Sequence, residues 1–246
     1  MDQDKRFRIA AGVGVVLVSV TLSLLWIWTS INPVWRLRIK SSLGDPVAQT
    51  ELGHRYQTGT GGVEKNVNKA VALYSRASQH GYAHATTCLG DLCLSGLGLP
   101  QDDLQAVRYF QQAADAGDHC AEHELGYCYS EGRGVARNVA EAFHWYQCSA
   151  ESGDLDAQAS LANCYVQGKG VERDYGKALA LLSAAAAKGH ARAELMLGSM
   201  YEHGWGVKTN WPEALKHYEM AAAAGADHAE AAKAKLNARM QTQLPP

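Results

Sequence analysis

Histidine side chains with helical spacing stand in the middle of the chain and suggest metal chemistry. His119 and His123 are four residues apart, with Cys120 between them. On a helix this spacing places both imidazoles on one face, where they could share a metal ion. His80 and His84 have the same spacing, but a glycine interrupts the helix between them. The first pair is therefore the better metal candidate.

No catalytic motif accompanies these residues. The chain lacks a Gly-x-Ser-x-Gly elbow, a Ser-x-x-Lys pair, a phosphate-binding loop and a His-Glu-x-x-His sequence. Each of these motifs combines a reactive group or a phosphate cradle with the residues that activate it. We therefore predict that the protein is not an enzyme, has no cofactor and takes no small-molecule substrate.

Charge is distributed unevenly along the chain. The first 43 residues hold six Lys or Arg and two Asp, whereas the whole chain has a net charge of -2. The part after residue 43 is therefore acidic. Nucleic-acid binding needs a basic face that neutralises phosphates, so we predict no nucleic-acid partner.

A pattern with a constant period organises the chain after residue 43. A Leu-Gly pair, a Gly-x-Gly pair, an alanine and a glycine recur together. The last of these shows a period of 36 residues: Gly81, Gly117, Gly153, Gly189 and Gly225. A fixed period in this range is typical of a solenoid of stacked helix pairs, which is an all-α fold.

Each repeat is predicted to contain two helices. In the third repeat, Ala121 and Leu125 stand at helical spacing before a Gly-x-Gly turn. The second helix of every repeat opens on an Asx residue that can accept hydrogen bonds from the first-turn amides: Asn66, Asp102, Asn138, Asp174 and Asn210. Glu141 and Glu213 follow their caps by three residues, which predicts capping boxes.

The repeat resembles that of the Sel1-like family, a relative of the tetratricopeptide repeat. The third unit, AEHELGYCYSEGRGVARNVAEAFHWYQCSAESG, follows the family pattern almost throughout. Cys93 replaces an expected tyrosine, Leu99 a valine and Ala162 a glycine. The resemblance covers residues 46–225 and implies an α-solenoid of five units and a C-terminal capping helix with a tail: 46–81, 82–117, 118–153, 154–189, 190–225 and 226–246.

The resemblance implies an adaptor that binds a protein or an extended peptide on its concave face. By analogy with tetratricopeptide arrays, the first helix of each unit lines this face, two residues before and after its Leu-Gly leucine. The predicted partner-binding surface is Thr50, His54, Thr87, Asp91, His123, Tyr127, Asn163, Leu195, Ser199, Glu202 and His203, and Glu131 stands near its end. Solvation of these positions without a partner is the alternative. Histidine is common at repeat junctions in this family, so we predict no metal site.

The six cysteines offer few disulfide pairings. Cysteine-rich members of the family bridge adjacent helices with a C-x7-C spacing. Cys120 and Cys128 have that spacing but lie on one predicted helix, about 12 Å apart along its axis, which excludes a bond between them. Cys120 and Cys148 come level across one helix pair and form the only plausible couple. The remaining cysteines are interpreted as small buried hydrophobes.

Residues 9–31 form an uncharged apolar stretch, IAAGVGVVLVSVTLSLLWIWTSI. A helix of this length reaches about 35 Å, which exceeds a hydrocarbon core of about 30 Å. A cleaved signal peptide is the alternative, but it has a shorter apolar stretch and a small-residue cleavage site. We predict a single transmembrane helix at 9–31, between a cytoplasmic tail at 1–8 and a juxtamembrane linker at 32–45.

Three Lys or Arg flank the predicted span on each side, so the balance of basic residues barely decides its orientation. A short basic tail before a first span usually stays in the cytoplasm, and we predict that orientation. This orientation would place the repeats in the periplasm, with the anchor in a bacterial inner membrane. We predict an adaptor that acts in envelope assembly, secretion or regulation. Two alternatives stay open: an immunity protein that neutralises a toxic effector, and an envelope hydrolase.

Overall fold

The described part of the chain is helical. The computed structural model describes residues 33–243, and regular secondary structure in that range consists of twelve helices. They are α1 Pro33–Ser42, α2 Pro46–Thr58, α3 Val67–Gln79, α4 Ala83–Ser95, α5 Asp103–Asp115, α6 His119–Glu131, α7 Val139–Glu151, α8 Leu155–Gln167, α9 Tyr175–Ala186, α10 Ala191–His203, α11 Trp211–Ala223 and α12 Ala229–Gln243. The all-α repeat architecture is confirmed for these residues.

The predicted transmembrane segment 9–31 and the tail 1–8 lie outside the described residues. Between residues 33 and 243, no helix combines the length and apolar character that crossing a membrane requires. The anchor therefore stays a prediction.

The Asx caps explain where the second helix of each repeat begins. Each cap side chain accepts a hydrogen bond from the amide three residues later, which belongs to Lys69, Gln105, Glu141, Lys177 and Glu213. The prediction that Glu141 and Glu213 accept from the amides of their N-cap residues is wrong. The amides of Asn138 and Asn210 donate to the carbonyls of Tyr129 and Tyr201 at the end of the preceding helix. Because these amides are already paired, neither glutamate is needed as their acceptor.

The described helices divide into two compact units, with the division inside α4. The first unit contains described residues up to 89 together with 97–99. Its helix α1 packs against α2, and Gln49 donates a hydrogen bond to the carbonyl of Ser41 at 3.2 Å. The segment predicted as a linker is therefore helical over Pro33–Ser42. Basic and apolar residues alternate along it, a pattern that does not indicate a helix, and Val34 is buried in it.

The second unit contains residues 90–96 together with 100–243. Its core is built from alanines, leucines and single large side chains such as Phe110, Tyr146 and Tyr218. Small residues on the first helix of each repeat let the second helix approach closely. The last repeat is covered by α12, where Leu236 is fully buried against Ala214 and Tyr218. A solenoid needs such a cover because its final apolar face has no further repeat to bury it.

Candidate functional site

A pocket of about 280 Å³ lies between the third and fourth repeats, inside the second unit. Helices α6 and α8, the first helices of these repeats, provide most of its walls. Its floor comes from α7, and one residue of α10 reaches its edge. The lining residues are His123, Tyr127, Ser130, Glu131, Arg137, Val139, Ala142, Tyr146, Ser160, Asn163, Cys164, Lys169 and Arg192.

Ser160 joins three successive first helices at one edge of this pocket. Its Oγ lies 3.1 Å from Nε2 of His123 on α6. The same oxygen accepts a hydrogen bond from the guanidinium of Arg192 on α10 at 3.4 Å. Ser160 itself is buried on α8. These contacts orient both basic side chains at the pocket.

Aromatic and amide groups form the rest of the recognition surface. Tyr127 is 37% exposed, which makes it an accessible aromatic side chain on α6. Behind it, the buried ring of Tyr146 lies 5.5 Å from the His123 ring. Burial raises the pKa of Tyr146 to about 12, so its hydroxyl stays protonated at neutral pH. Asn163 accepts a hydrogen bond from Gln167, which leaves its amide NH₂ group as a donor for a ligand.

The pocket is positively charged although the repeats as a whole are acidic. Its lining contains three cations, Arg137, Lys169 and Arg192, against the single carboxylate of Glu131. Arg137 is positioned by its bond to the carbonyl of Ser130 at 2.8 Å. The hydroxyl of Ser130 also donates to Glu131 at 3.2 Å. An anionic group is therefore the ligand chemistry that this pocket favours.

His123 and Ser160 resemble part of a hydrolytic site, but the surroundings do not support catalysis. The carboxylate of Glu124 lies 3.4 Å from Nδ1 of His123, which completes a serine-histidine-glutamate sequence of contacts. The amides around Ser160 lie inside α8, where they bond to carbonyls one turn earlier. No backbone donor is then left there to stabilise an oxyanion. The arrangement can hold a ligand, but it lacks the oxyanion donors that hydrolysis at Ser160 would need.

Three of the predicted partner-binding residues meet at the pocket: His123, Tyr127 and Asn163. Glu131 joins them. His54 and Asp91 are exposed on α2 and α4. Their positions agree with the predicted face, but they do not line this pocket.

Thr50 and Thr87 are buried, so the prediction that they face a partner is wrong. Their hydroxyls donate to the carbonyls one turn earlier on their own helices, at Pro46 and Ala83. Thr50 lies on α2, the helix against which α1 packs. The first repeat is therefore not equivalent to the repeats inside the array, whereas the burial of Thr87 in the second repeat has no such explanation.

The predicted residues of the fifth repeat also have structural contacts. Ser199 lies 3.2 Å from the hydroxyl of Tyr218, which donates to the buried carboxylate of Glu202 at 2.7 Å. Glu202 is further paired with Arg239 on α12. Leu195 packs in the same cluster. Because Glu202 is buried and paired with α12, its placement on an open groove is wrong. Leu195 and Ser199 are partly exposed, and their role in partner binding stays a prediction.

His203 remains exposed, and its ring stacks on Trp205 at 4.7 Å. It lies outside the pocket between the third and fourth repeats. The pocket residues that the sequence did not indicate include Ser160, Lys169 and Arg192. Arg192 follows Cys120 and Asp156 at the same position of successive repeats. Comparing the charges at this position in successive repeats would have indicated Arg192, which is the basic residue among these three.

All six cysteines lie in the described range and are free thiols. The couple that we considered able to bond, Cys120 and Cys148, is not bridged in this structure. His119 and His123 do not share a contact that would support a common metal ion. His123 turns towards Ser160, whereas His119 lies 3.3 Å from the carboxylate of Asp154.

Comparison with known proteins identifies the repeat. The family model described as Sel1 repeat matches residues 46–82, 84–118, 121–154, 155–190 and 191–225. No curated protein matches the chain. A solved Sel1 repeat protein from Oxalobacter formigenes is 32% identical, with a TM-score of 0.71 over 81% of this chain and 79% of that one.

Two further solved structures are similar. A protective antigen of uropathogenic Escherichia coli with an SLR fold is 35% identical, with a TM-score of 0.67 over 82% of this chain. This chain covers only 43% of that protein. An immunity protein from Pseudomonas aeruginosa is 22% identical, with a TM-score of 0.59 over 79% of this chain and 74% of that one. At that identity the likeness shows the fold alone.

Proposed function

This chain belongs to the Sel1 repeat family, and on that premise we propose that it is a membrane-tethered adaptor that binds an acidic segment of a partner protein. The observation that carries the proposal is the pocket between α6 and α8. It combines three cations with an exposed aromatic ring and a free amide donor. An extended peptide supplies groups that match all three, and its acidic side chain is the group that the cations select.

The size and position of the pocket support a peptide rather than a small metabolite. Its volume of about 280 Å³ lies just below the range of small-molecule sites, which span about 300–1,000 Å³. Tyr127 stands at its edge with part of its ring in solvent. We infer that one acidic side chain enters the pocket while the neighbouring backbone of the partner crosses Tyr127 and Asn163.

Charge reversal tests this proposal on the full chain, purified in detergent with its partner. Arg192→Glu places a carboxylate at the pocket, and we expect it to lower partner recovery about tenfold or more. Lys188→Glu is the matched control, since Lys188 is exposed at the end of the fourth repeat and does not line the pocket. Equal loss in both variants, or no loss in either, would contradict the proposal.

The location of the protein is part of the same proposal. We propose that residues 9–31 anchor the chain in a bacterial inner membrane and that the repeats face the periplasm. Support comes from the uncharged apolar sequence and from its length relative to a bilayer. Alkaline phosphatase fused after residue 246 should be active in cells. An inactive phosphatase fusion that is expressed at the same level would reverse the orientation.

The identity of the recovered partner separates two narrower functions. An envelope-assembly, secretion or regulatory partner fits an adaptor. A toxic effector would make this chain an immunity protein, which the fold permits because immunity proteins are among its structural neighbours. Co-expression with the recovered partner distinguishes these outcomes, since only an immunity protein should restore growth.

A further inference from the structure

Three potential metal ligands meet at the junction between the third and fourth repeats, about one helical turn from the pocket. His119 and Cys120 begin α6, and Asp154 precedes α8. Nδ1 of His119 lies 3.3 Å from Oδ2 of Asp154 and 3.7 Å from Sγ of Cys120. The three ligand atoms lie within 4.8 Å of one another. We propose that they bind a divalent transition-metal ion with the ligand preference of Zn²⁺.

The spacing of the ligand atoms fits such an ion. Zinc bonds are about 2.0–2.1 Å to nitrogen, about 2.0–2.2 Å to oxygen and about 2.3 Å to sulfur. Tetrahedral angles at these bond lengths separate nitrogen from oxygen by about 3.4 Å and nitrogen from sulfur by about 3.6 Å. The distances in this structure, 3.3 and 3.7 Å, differ from those values by about 0.1 Å. Both separations from the imidazole nitrogen therefore match a tetrahedral ion, and the sulfur and carboxylate oxygen lie within 4.8 Å of each other.

Neighbouring groups hold the ligands in place. The other carboxylate oxygen of Asp154, Oδ1, accepts a hydrogen bond from the amide of Ala157 at 2.7 Å. This cap directs Oδ2 towards His119. The backbone carbonyl of His119 accepts from the fully buried Ser149 at 2.8 Å. Such outer contacts orient metal ligands and raise their affinity.

The next repeat junction provides an internal comparison. There His190 and Asp156 lie 3.1 Å apart, so a histidine-carboxylate pair occurs again. The position that corresponds to His119 is occupied by Leu155, which has no ligand atom. That junction therefore offers two ligands where the earlier one offers three. Asp156 stands at the position of Cys120 and His190 at that of Asp154, so His119 is the ligand that the later junction lacks. The earlier junction also differs in offering a thiolate, from Cys120.

The site has consequences for access and for the repeats. Three protein ligands leave one tetrahedral position for water or another ligand. The His119 side chain is 45% exposed, so an ion can reach it from solvent. Because the ligands come from α6 and α8, a bound ion would also join the two helices that line the pocket.

The test uses the reduced, untagged full chain in detergent micelles, titrated with Co²⁺ as a spectroscopic substitute for Zn²⁺. We expect one Co²⁺ per chain, with the absorption of a thiolate-bound ion. Cys120→Ser should remove that absorption. Asp154→Asn keeps an acceptor for the Ala157 amide but loses a charged ligand, and it should weaken Zn²⁺ binding about tenfold or more in competition with a chromogenic chelator.

Two further variants complete the design. His119→Leu reproduces the residue of the next repeat and should weaken Zn²⁺ binding as Asp154→Asn does. His190→Ala disrupts the two-ligand junction and should leave the affinity unchanged. Thermal unfolding of each variant without metal verifies that the fold is retained. Absence of thiolate absorption in the unmodified chain, or equal effects of His190→Ala and His119→Leu, would overturn the proposal.

Discussion

Gly126 on α6 lies directly against the ring of Tyr146 on α7. A Cβ at Gly126 would stand 2.5 Å from Cδ1 of that ring, closer than two carbon atoms can approach. The same relationship recurs at Gly90 with Phe110 and at Gly198 with Tyr218. The fourth repeat has Ala162 and Leu182 at these positions, both buried in one cluster. The departure from the family glycine at Ala162 is therefore matched by a smaller partner.

The glycine-aromatic pair predicts a coupled effect on stability. Gly126→Ala should destabilise the second unit by about 1–3 kcal/mol, because its methyl group must displace the Tyr146 ring. Adding Tyr146→Leu should reduce the cost of Gly126→Ala, since this pair reproduces the fourth repeat. Thermal and denaturant unfolding of the four chains measures the coupling.

The control for this cycle is Gly176→Ala in α9. A Cβ at Gly176 would meet only the side-chain oxygen of Asp174, at 3.3 Å. Alanine should be neutral there or stabilise by up to about 1 kcal/mol, because it favours the helix. Additive effects of Gly126→Ala and Tyr146→Leu would contradict the packing explanation.

A salt bridge joins the second and third repeats and should respond to pH. Arg133 bonds to both carboxylate oxygens of Asp103, at 2.6 and 3.0 Å, and to the carbonyl of Leu94 at 2.9 Å. The hydrogen bond from Arg133 holds the pKa of Asp103 below its ordinary value. A lowered pKa stabilises the folded state above the ordinary aspartate range. That contribution disappears as the pH falls through the folded-state pKa.

We expect Arg133→Leu to raise the pKa of Asp103 towards its ordinary value, as followed by carboxyl NMR titration. The unfolding midpoint should also fall less between neutral and acid pH in this variant than in the unmodified chain. Arg137→Leu is the control, because Arg137 bonds to the carbonyl of Ser130 instead. An unchanged Asp103 pKa in Arg133→Leu would show that the salt bridge does not form in solution.

The covering helix α12 should be essential for the stability of the last repeat. Leu236 is fully buried, so Leu236→Ala should cost about 2–5 kcal/mol through lost burial and the cavity left behind. Hydrogen exchange should then accelerate in α11 and α12. Leu104→Ala is the matched control, since Leu104 is 53% exposed and its truncation should change stability by less than about 0.5 kcal/mol. Equal unfolding midpoints for the two variants would be incompatible with a packed covering helix.

The cysteines should react with iodoacetamide in an order set by burial. Burial raises the pKa of Cys128 to about 12 and that of Cys164 to about 11, so neither forms appreciable thiolate at neutral pH. Cys120 is partly exposed. Timed alkylation followed by mass spectrometry should label Cys120 before Cys128 and Cys164, and denaturation should remove the difference. Labelling of Cys128 as early as Cys120 would contradict the burial of Cys128 on α6.

The repeat architecture was predictable because its signals are local and recur. A glycine that ends a helix and an Asx residue that begins one act within a few residues, so the sequence shows them directly. The capping-box glutamates were misread, because the amide of Asn138 is paired with a carbonyl from the preceding helix. That bond depends on how the two helices of a repeat pack against each other, which the residues around a cap do not reveal.

The candidate site was only partly predictable, for a different physical reason. A column of equivalent positions has equivalent surroundings only inside the array. His123, Tyr127 and Asn163 satisfy that condition and meet at the pocket. Thr50 and Glu202 do not, because terminal helices contact their repeats. Thr87 lies inside the array and is also buried, so burial differs between inner repeats as well. The side chain of Arg192 reaches the pocket from one repeat further on, a distance that counting along a single helix ignores.

Site-specific photocrosslinking in cells tests the central claim most directly. A benzophenone amino acid replaces Tyr127 at the pocket edge or, as the control, the exposed Leu104 on α5, and the crosslinked peptide is sequenced by mass spectrometry. We predict that the Tyr127 position captures one acidic segment of one protein, and that Arg192→Glu abolishes this product while Lys188→Glu preserves it. Capture of the same segment at Leu104, or capture at Tyr127 that persists with Arg192→Glu, would contradict partner binding at this pocket.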